Sequence, residues 1–194
     1  GIQGELVCCT PFPCCPIGFW NDTHDEKFMD AYFNRFEGVW AHGDFAEQTA
    51  EGGYIIHGRS DTVLNPGGVR IGTAEIYRQV EKVAVVVESI VVGQHWDEDV
   101  RVVLFVVLKP DEQLNDAIIE EIRQTVRTNT TPRHMPVKIL QVSAIPKTRN
   151  GKITEKLVNQ LVNKRVSTLT SDNTDALQNP EVLKEYMNRP ELDV

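Results

Sequence analysis

The sequence predicts an α+β fold, and three observations predict it. Two β-branched runs, Val85 to Gly93 and Arg101 to Leu108, flank the acidic connection His95-Trp96-Asp97-Glu98-Asp99 and should pair as a sheet. Three segments space their apolar residues as helices do: Ile76, Val80 and Val83; Ile118, Ile122 and Val126; and the run from about Thr154 to Lys164. Before them lies Gly58 to Tyr77, where five glycines and prolines stand among two arginines and two carboxylates. Such a mixture is poor core material. It suits a loop that handles anions or a segment that moves as a hinge.

In chain order, residues 1–20 read as an extended, Pro-rich segment with a strand candidate at Glu5 to Cys9. Phe28, Tyr32, Phe33 and Phe36 have the spacing of a short helix. Val39 to Asp44 should be a strand ending in a loop. Phe45 to Thr49 and Tyr54 to Gly58 should be two further strands joined by a hairpin turn at Gly52-Gly53. A helix over about 74–83 should be capped by Thr73, and another should run from about Leu114 to Thr128. Pro132 and Pro136 bound the loop after it, and Val137 to Val142 is a third strand. Asn150-Gly151 marks a tight turn in the cation-rich Ile145 to Lys152, ahead of the helix from Thr154. Ser167 to Asp175 reads as a polar linker. Asn179-Pro180 should start a short tail helix presenting Val182, Leu183 and Tyr186.

With 194 residues and 41% hydrophobic residues, the chain can build a core. A net charge of −8 argues against nucleic acid or an anionic membrane surface as the main partner. It still permits a small anionic ligand at a local cluster of Arg and Lys. Glu88 and Gly93 break the richest apolar run, so no stretch reaches membrane-spanning length. There is no signal-peptide pattern, and the absence of an initiator Met suggests a cut or processed end at Gly1. Cys8-Cys9 and Cys14-Cys15 lack the Cys-x-x-Cys spacing of a thiolate metal site. They read as four reduced thiols of a cytosolic protein, and no metal ligand is assigned. Trp20, Trp40 and Trp96 read as core residues.

Gly58-Arg59-Ser60-Asp61, Gly68-Val69-Arg70-Ile71 and the distant Pro146-Lys147-Thr148-Arg149-Asn150-Gly151-Lys152 together resemble the adenylate-forming acyl-CoA synthetase superfamily. Trp40-Ala41-His42-Gly43-Asp44 is similar to its ribose-binding Gly-Asp motif. Gly18-Phe19-Trp20, Gly38 to Asp44, His57 to Asp61, Asn65 to Tyr77 and Asn179-Pro180-Glu181 narrow the resemblance to the branch that activates acetoacetate. The likeness covers nearly the whole chain but only the C-terminal part of such an enzyme. The superfamily's phosphate loop and its Tyr-Gly-x-Thr-Glu adenine motif, both upstream elements, are absent. The resemblance implies three segments. Residues 1–60 would close the large AMP-binding domain with the end of a β-barrel-like subdomain. Residues 61–165 would form the small mobile C-terminal domain, a three-stranded sheet flanked by helices. Residues 166–194 would be a linker and tail helix.

The resemblance also implies roles. Asp44 would accept hydrogen bonds from the ribose hydroxyls of ATP; the alternative is a turn aspartate capping its own backbone. Arg59 would reach the ribose or phosphates; the alternative is a surface ion pair with Asp61 or Asp44. Asp61 matches the hinge residue, although the second Asp common after it is Thr62 here. Gly68 would let the pantetheine arm of CoA pass, or would simply serve the turn. Arg70 would lie near the ATP phosphates, and Arg127 would meet the 3′-phosphate of CoA. Arg133 and His134 are weaker candidates from the same loop. Glu75 reads as a first-turn helix residue rather than a ligand. Lys152 is the catalytic candidate, bridging the α-phosphate and the attacking carboxylate; the alternative is a solvated lysine in a basic turn. Lys147 and Arg149 read as solvated or as tuning the local field. The implied substrates are acetoacetate, ATP and CoA, with Mg²⁺ accompanying ATP on its phosphates and water. The implied partner is the missing N-terminal domain. An acetyl- or propionyl-CoA synthetase is the second reading, and a noncatalytic CoA-binding or docking module the third.

Overall fold

The computed structural model describes the backbone of residues 1–194 and all side chains except those of Asp172 and Asn173. The chain divides into two units, Gly1–Asp61 and Thr62–Val194.

In the first unit, strands β1 (Ile2–Cys8), β2 (Trp40–Gln48) and β3 (Tyr54–Arg59) form an open antiparallel sheet in the order β1-β2-β3. The hairpin between β2 and β3 turns where expected: Thr49 N–H donates to Gly53 O at 2.9 Å, and Gly52 has φ 82°. The expected strand break at Asp44 does not occur, because β2 is continuous from Trp40 to Gln48. Gly43, at φ 81°, and an irregular register against β1 bend the strand without ending it. Helix α1 (Glu26–Tyr32) is capped by Asp22, whose carboxylate accepts from the N–H groups of Lys27 and Phe28. It buries none of its residues but carries Tyr32 onto Trp40, stacked at 3.7 Å, with Phe28, Phe33 and Phe12 edge-on or tilted around them. The core reading of the tryptophans therefore fails for Trp20, which is 94% exposed, and Trp96 is likewise exposed. Only Trp40 packs among apolar neighbours.

In the second unit, β4 (Val86–Trp96) and β5 (Asp99–Leu108) pair antiparallel, and β6 (Lys138–Gln141) joins β5 in parallel, in the order β4-β5-β6. The acidic connection is tighter than expected. His95, Trp96 and Asp99 belong to the strands, and only Asp97 and Glu98 turn, both at positive φ (48° and 61°), as a two-residue hairpin loop requires. The parallel step from β5 to β6 needs a crossover, which α3 (Asp116–Asn129) supplies. Asn115 caps α3 by accepting the Ile118 N–H at 3.1 Å.

The β-branched runs are apolar throughout because both faces of this sheet are covered. On one face Val91, Val102, Leu104 and Val106 meet Ile76 and Val80 of α2 (Thr73–Val80) and Ile118, Ile122 and Val126 of α3. On the other, Ile90, Val92, Val103 and Phe105 meet Val158, Leu161 and Val162 of α4 (Glu155–Val162) and Leu177, Val182, Leu183, Tyr186 and Leu192. Residues 177–192 thus supply about a third of the buried residues of one core. Their helix is a 3-10 segment, Pro180–Tyr186, and the Tyr186 hydroxyl donates to Ala144 O at 2.8 Å. The stretch read as a linker contains a four-residue helix, α5 (Ser171–Thr174). Thr73 does not cap α2. Gly72 stands at the N-cap, its N–H donating to Glu75 Oε1 at 3.0 Å, while Thr73 is buried as the first helical residue.

Candidate functional site

The sequence-selected residues fall into three groups, one in the first unit and two in the second. In the first unit, β2 and β3 bring Asp44 opposite Arg59. Asp44 neither ends a strand nor caps its own backbone. Its Oδ2 bonds His42 Nδ1 at 2.5 Å, and its Oδ1 lies 3.7 Å from Arg59 Nη1. Arg59 also reaches Asp61 Oδ1 at 3.7 Å and donates to His42 O at 3.3 Å. Gly43 makes this possible, since a Cβ there would sit 2.7 Å from Arg59 Nη2. The result is a half-exposed guanidinium between two carboxylates.

The second group surrounds the turn Pro66–Gly68. Gly67 and Gly68 take φ 58° and 77°, which explains the Gly pair, and nothing lies within 4 Å of a Cβ built at Gly68. Gly67 N–H donates to both oxygens of Asp99, at 2.9 and 3.0 Å. The N–H groups of Val100 and Gly67 hold the Asp99 carboxyl below its ordinary range. Gly68 opens onto a cleft of about 580 Å³ shared with His95, Trp96 and Asp97 to Asp99. Arg70 and Arg127 are both exposed, the latter in the last turn of α3. Arg133 lies against the turn itself, its Nε 3.5 Å from a Cβ built at Gly67. His134 is buried and bonds Thr131 Oγ1 through Nδ1 at 2.9 Å and Glu75 Oε2 through Nε2 at 3.1 Å. Glu75 therefore does more than complement the helix dipole. Its two oxygens tie the Gly72 N–H to the loop after α3.

The third group is the hairpin closed by the Lys147–Ile153 bridge. Thr148 N–H donates to Lys152 O at 2.8 Å, Gly151 N–H to Thr148 O at 2.8 Å, and Lys152 N–H to Thr148 Oγ1 at 3.1 Å. Gly151, at φ 78°, makes the turn, and Lys152 stands exposed beside it. Of the two readings of Lys147, a solvated side chain does not hold: its ammonium pairs with Glu88 of β4. Arg149 is exposed. The other flank of the hairpin is held by the tail, through Lys147 N–H to Asn179 Oδ1 (3.0 Å), Gln178 N–H to Lys147 O (2.8 Å) and Arg149 N–H to Ala176 O (3.0 Å). Two residues later α4 begins. Glu155 Oε2 accepts from Thr62 Oγ1 at 2.7 Å, and its Oε1 accepts from Tyr77 Oη at 2.6 Å. Burial, with Glu155 beside it, pushes the Tyr77 phenol well above its ordinary range.

Sequence reasoning named Arg133 as a weaker candidate but missed its contact with the Gly67 turn, and it missed the tail behind the hairpin and the Glu155 contacts. The basic Pro132-to-His134 loop was a signal for the first. A glutamate in the first turn of a helix reads as a dipole partner, so nothing marked Glu155.

Residues 75–152 match the AMP-binding enzyme C-terminal domain, with Lys152 at the end of the match. The chain is 51% identical over 192 residues to an acetoacetyl-coenzyme A synthetase of Rhizobium meliloti, covering 99% of this chain and 29% of that protein. It is 42% identical over 195 residues to the acetoacetyl-CoA synthetase of Gallus gallus, covering 99% and 28%. Among solved structures, an acetoacetyl-CoA synthetase from Streptomyces lividans superposes with a TM-score of 0.85 at 39% identity, over 95% of this chain and 28% of that one. An anthranilate CoA ligase, AuaEII, in complex with anthranoyl-AMP, superposes with a TM-score of 0.67 at 25% identity over 79% of this chain and 28% of that one. The chain spans less than a third of the length of these relatives.

Proposed function

We propose, on the premise that this chain is homologous to acetoacetyl-CoA synthetases along 99% of its length and carries an AMP-binding enzyme C-terminal domain, that it is the C-terminal part of an ATP-dependent acyl-CoA ligase acting on acetoacetate. The observation that carries this reading is Lys152, exposed at the end of a Gly-turned hairpin and at the end of the matched domain. Among the described residues no carboxylate pairs with it, so its ammonium is available to an anionic substrate.

In the first half-reaction a carboxylate oxygen attacks the α-phosphorus of ATP, the bond to the β-phosphate breaks, and pyrophosphate leaves. Negative charge builds on the attacking and α-phosphoryl oxygens. An ammonium aimed at both stabilises that charge more than it stabilises the separate reactants. Asp44 and Arg59 would meet the ribose and Arg70 the phosphates. Mg²⁺ would come with ATP; no cluster of three potential ligands occurs among the described residues, so none is assigned to it. In the second half-reaction the thiol of CoA loses its proton and attacks the acyl carbonyl, and AMP leaves. Gly68 would line the path of the thiol arm, with Arg127 at the CoA phosphate. Asp61, at the boundary between the units, would be the hinge that exchanges the two arrangements. The setting would be the cytosol.

The test is pyrophosphate release by the full-length protein that carries this chain. Acetoacetate should support it far better than acetate or propionate, and this chain alone should support none. A preference for acetate would move the assignment to the acetyl-CoA branch. Release by the chain alone at enzyme rates would overturn the reading as a part of a larger site.

A further inference from the structure

The Glu155 carboxylate is placed unlike an ordinary first-turn glutamate. Such a residue gains from the helix dipole while staying in water. Glu155 instead turns both oxygens inward and accepts one hydroxyl on each, Thr62 Oγ1 at 2.7 Å and Tyr77 Oη at 2.6 Å. Hydrogen bonds from O–H to a carboxylate are short and strong, and these have that length. Tyr77 Oη in turn accepts from the Val91 N–H of the sheet at 3.2 Å. Thr62 is 8% exposed and is the first residue of the second unit. The node therefore joins four elements at one point: the residue at the unit boundary, α2, β4 and the first turn of α4.

Its position in the chain gives this a consequence. Thr154 immediately before Glu155 ties back to Pro146 O through both its N–H (3.1 Å) and its hydroxyl (3.0 Å). These bonds fasten the base of the hairpin that ends at Lys152 and Ile153 to the start of α4. Thr62, far earlier in the sequence, is thereby linked to the Lys152 hairpin through a single carboxylate. We infer that Glu155 is a positioning residue that couples the boundary residue Thr62 to the hairpin carrying Lys152, so that a rotation at Asp61–Thr62 carries Lys152 with it as a rigid lever. A purely stabilising role would need no partner at the boundary, and an apolar side chain would fill the same space without the cost of desolvating a carboxylate. The coupling stands on geometry within this chain; its catalytic consequence rests on the function proposed above.

The experiment has two arms. In the 194-residue chain itself, amide exchange is followed at Thr148 and Gly151, the two amides that close the hairpin. Glu155→Ala and Thr62→Val should speed their exchange by about 10-fold or more while the slowest core amides of β5 are unchanged, as for a local opening. Glu155→Gln, which keeps one acceptor and can donate to a hydroxyl through its amide, should restore most of the protection. In the full-length protein, Thr62→Val and Glu155→Ala should lower kcat for acetoacetate-dependent pyrophosphate release by about 10- to 100-fold, the scale of a small misplacement. KM for ATP should stay within about two-fold, since binding is not the interaction removed. Thioester formation from supplied acetoacetyl-AMP should be spared. Unchanged exchange at Thr148 and Gly151 would overturn the coupling. So would a fall in melting temperature that speeds all amides equally, or kcat and KM moving together in both half-reactions. If the wild-type full-length protein releases no pyrophosphate, the functional reading fails, and the exchange arm still decides the coupling.

Discussion

Gly43 carries a sharp single-residue requirement in the first unit. Its φ of 81° is a left-handed conformation, and a Cβ there would lie 2.7 Å from Arg59 Nη2. Gly43→Ala should cost the first unit about 1–2 kcal/mol from the backbone alone and push the guanidinium off Asp44. Denaturant unfolding, set beside Arg59→Lys, checks this, because only the glycine change should carry the backbone cost. Asp99 makes a second residue-scale prediction. Its carboxyl is held low by the N–H groups of Val100 and Gly67, so its contribution is present above the ordinary carboxylate value and is lost as pH falls through the lower folded value. Asp99→Asn should flatten the loss of stability on acidification, and melting curves at neutral and acid pH measure it. An unchanged acid slope would mean that the Gly67 bonds contribute nothing. The turn beside Lys152 was legible in the sequence because Asn150-Gly151 marks it whatever the rest of the chain does; the role given to Lys152 rests on the family resemblance, since a basic turn alone reads as solvated. Thr73 was misread because Gly72 has no side chain to mark it as a cap, and Glu75 does that work from three residues downstream.

At the scale of elements, the β-branched runs and the 3.6-residue patterns gave β4, β5, α2, α3 and α4 to within a few residues, because local spacing reflects which face is buried. Gly43-Asp44 split one strand into two in the sequence reading, since turn residues and a bulge share a composition. The tail was harder. Val182, Leu183 and Tyr186 fit any short amphipathic turn, and only the far side of the sheet shows that they complete a core with Phe105 and Val158. Leu183 is fully buried there. Leu183→Ala should therefore destabilise the second unit by about 2–5 kcal/mol, measured by denaturant unfolding of the chain. A loss under about 0.5 kcal/mol, the range of surface changes, would mean that the tail only lies on the domain.

For the whole molecule, the boundary between Asp61 and Thr62 separates a unit that holds Asp44 and Arg59 from one that holds Gly68, Arg127 and Lys152. The residues that the proposed reaction would use are thus divided between the two units; their motifs carry the family resemblance, while none of them bears on acyl specificity. In the full-length protein, Asp61→Pro should fix φ at the boundary. It should slow one half-reaction far more than the other without lowering the melting temperature; simple unfolding would make Asp61 a structural residue. The central claim is that Lys152 serves adenylation alone. The measurement that meets it most directly is Lys152→Ala in the full-length protein, assayed for acetoacetate-dependent pyrophosphate release and, separately, for thioester formation from supplied acetoacetyl-AMP. Loss of the first with the second largely kept is the predicted result, and equal loss of both would contradict it.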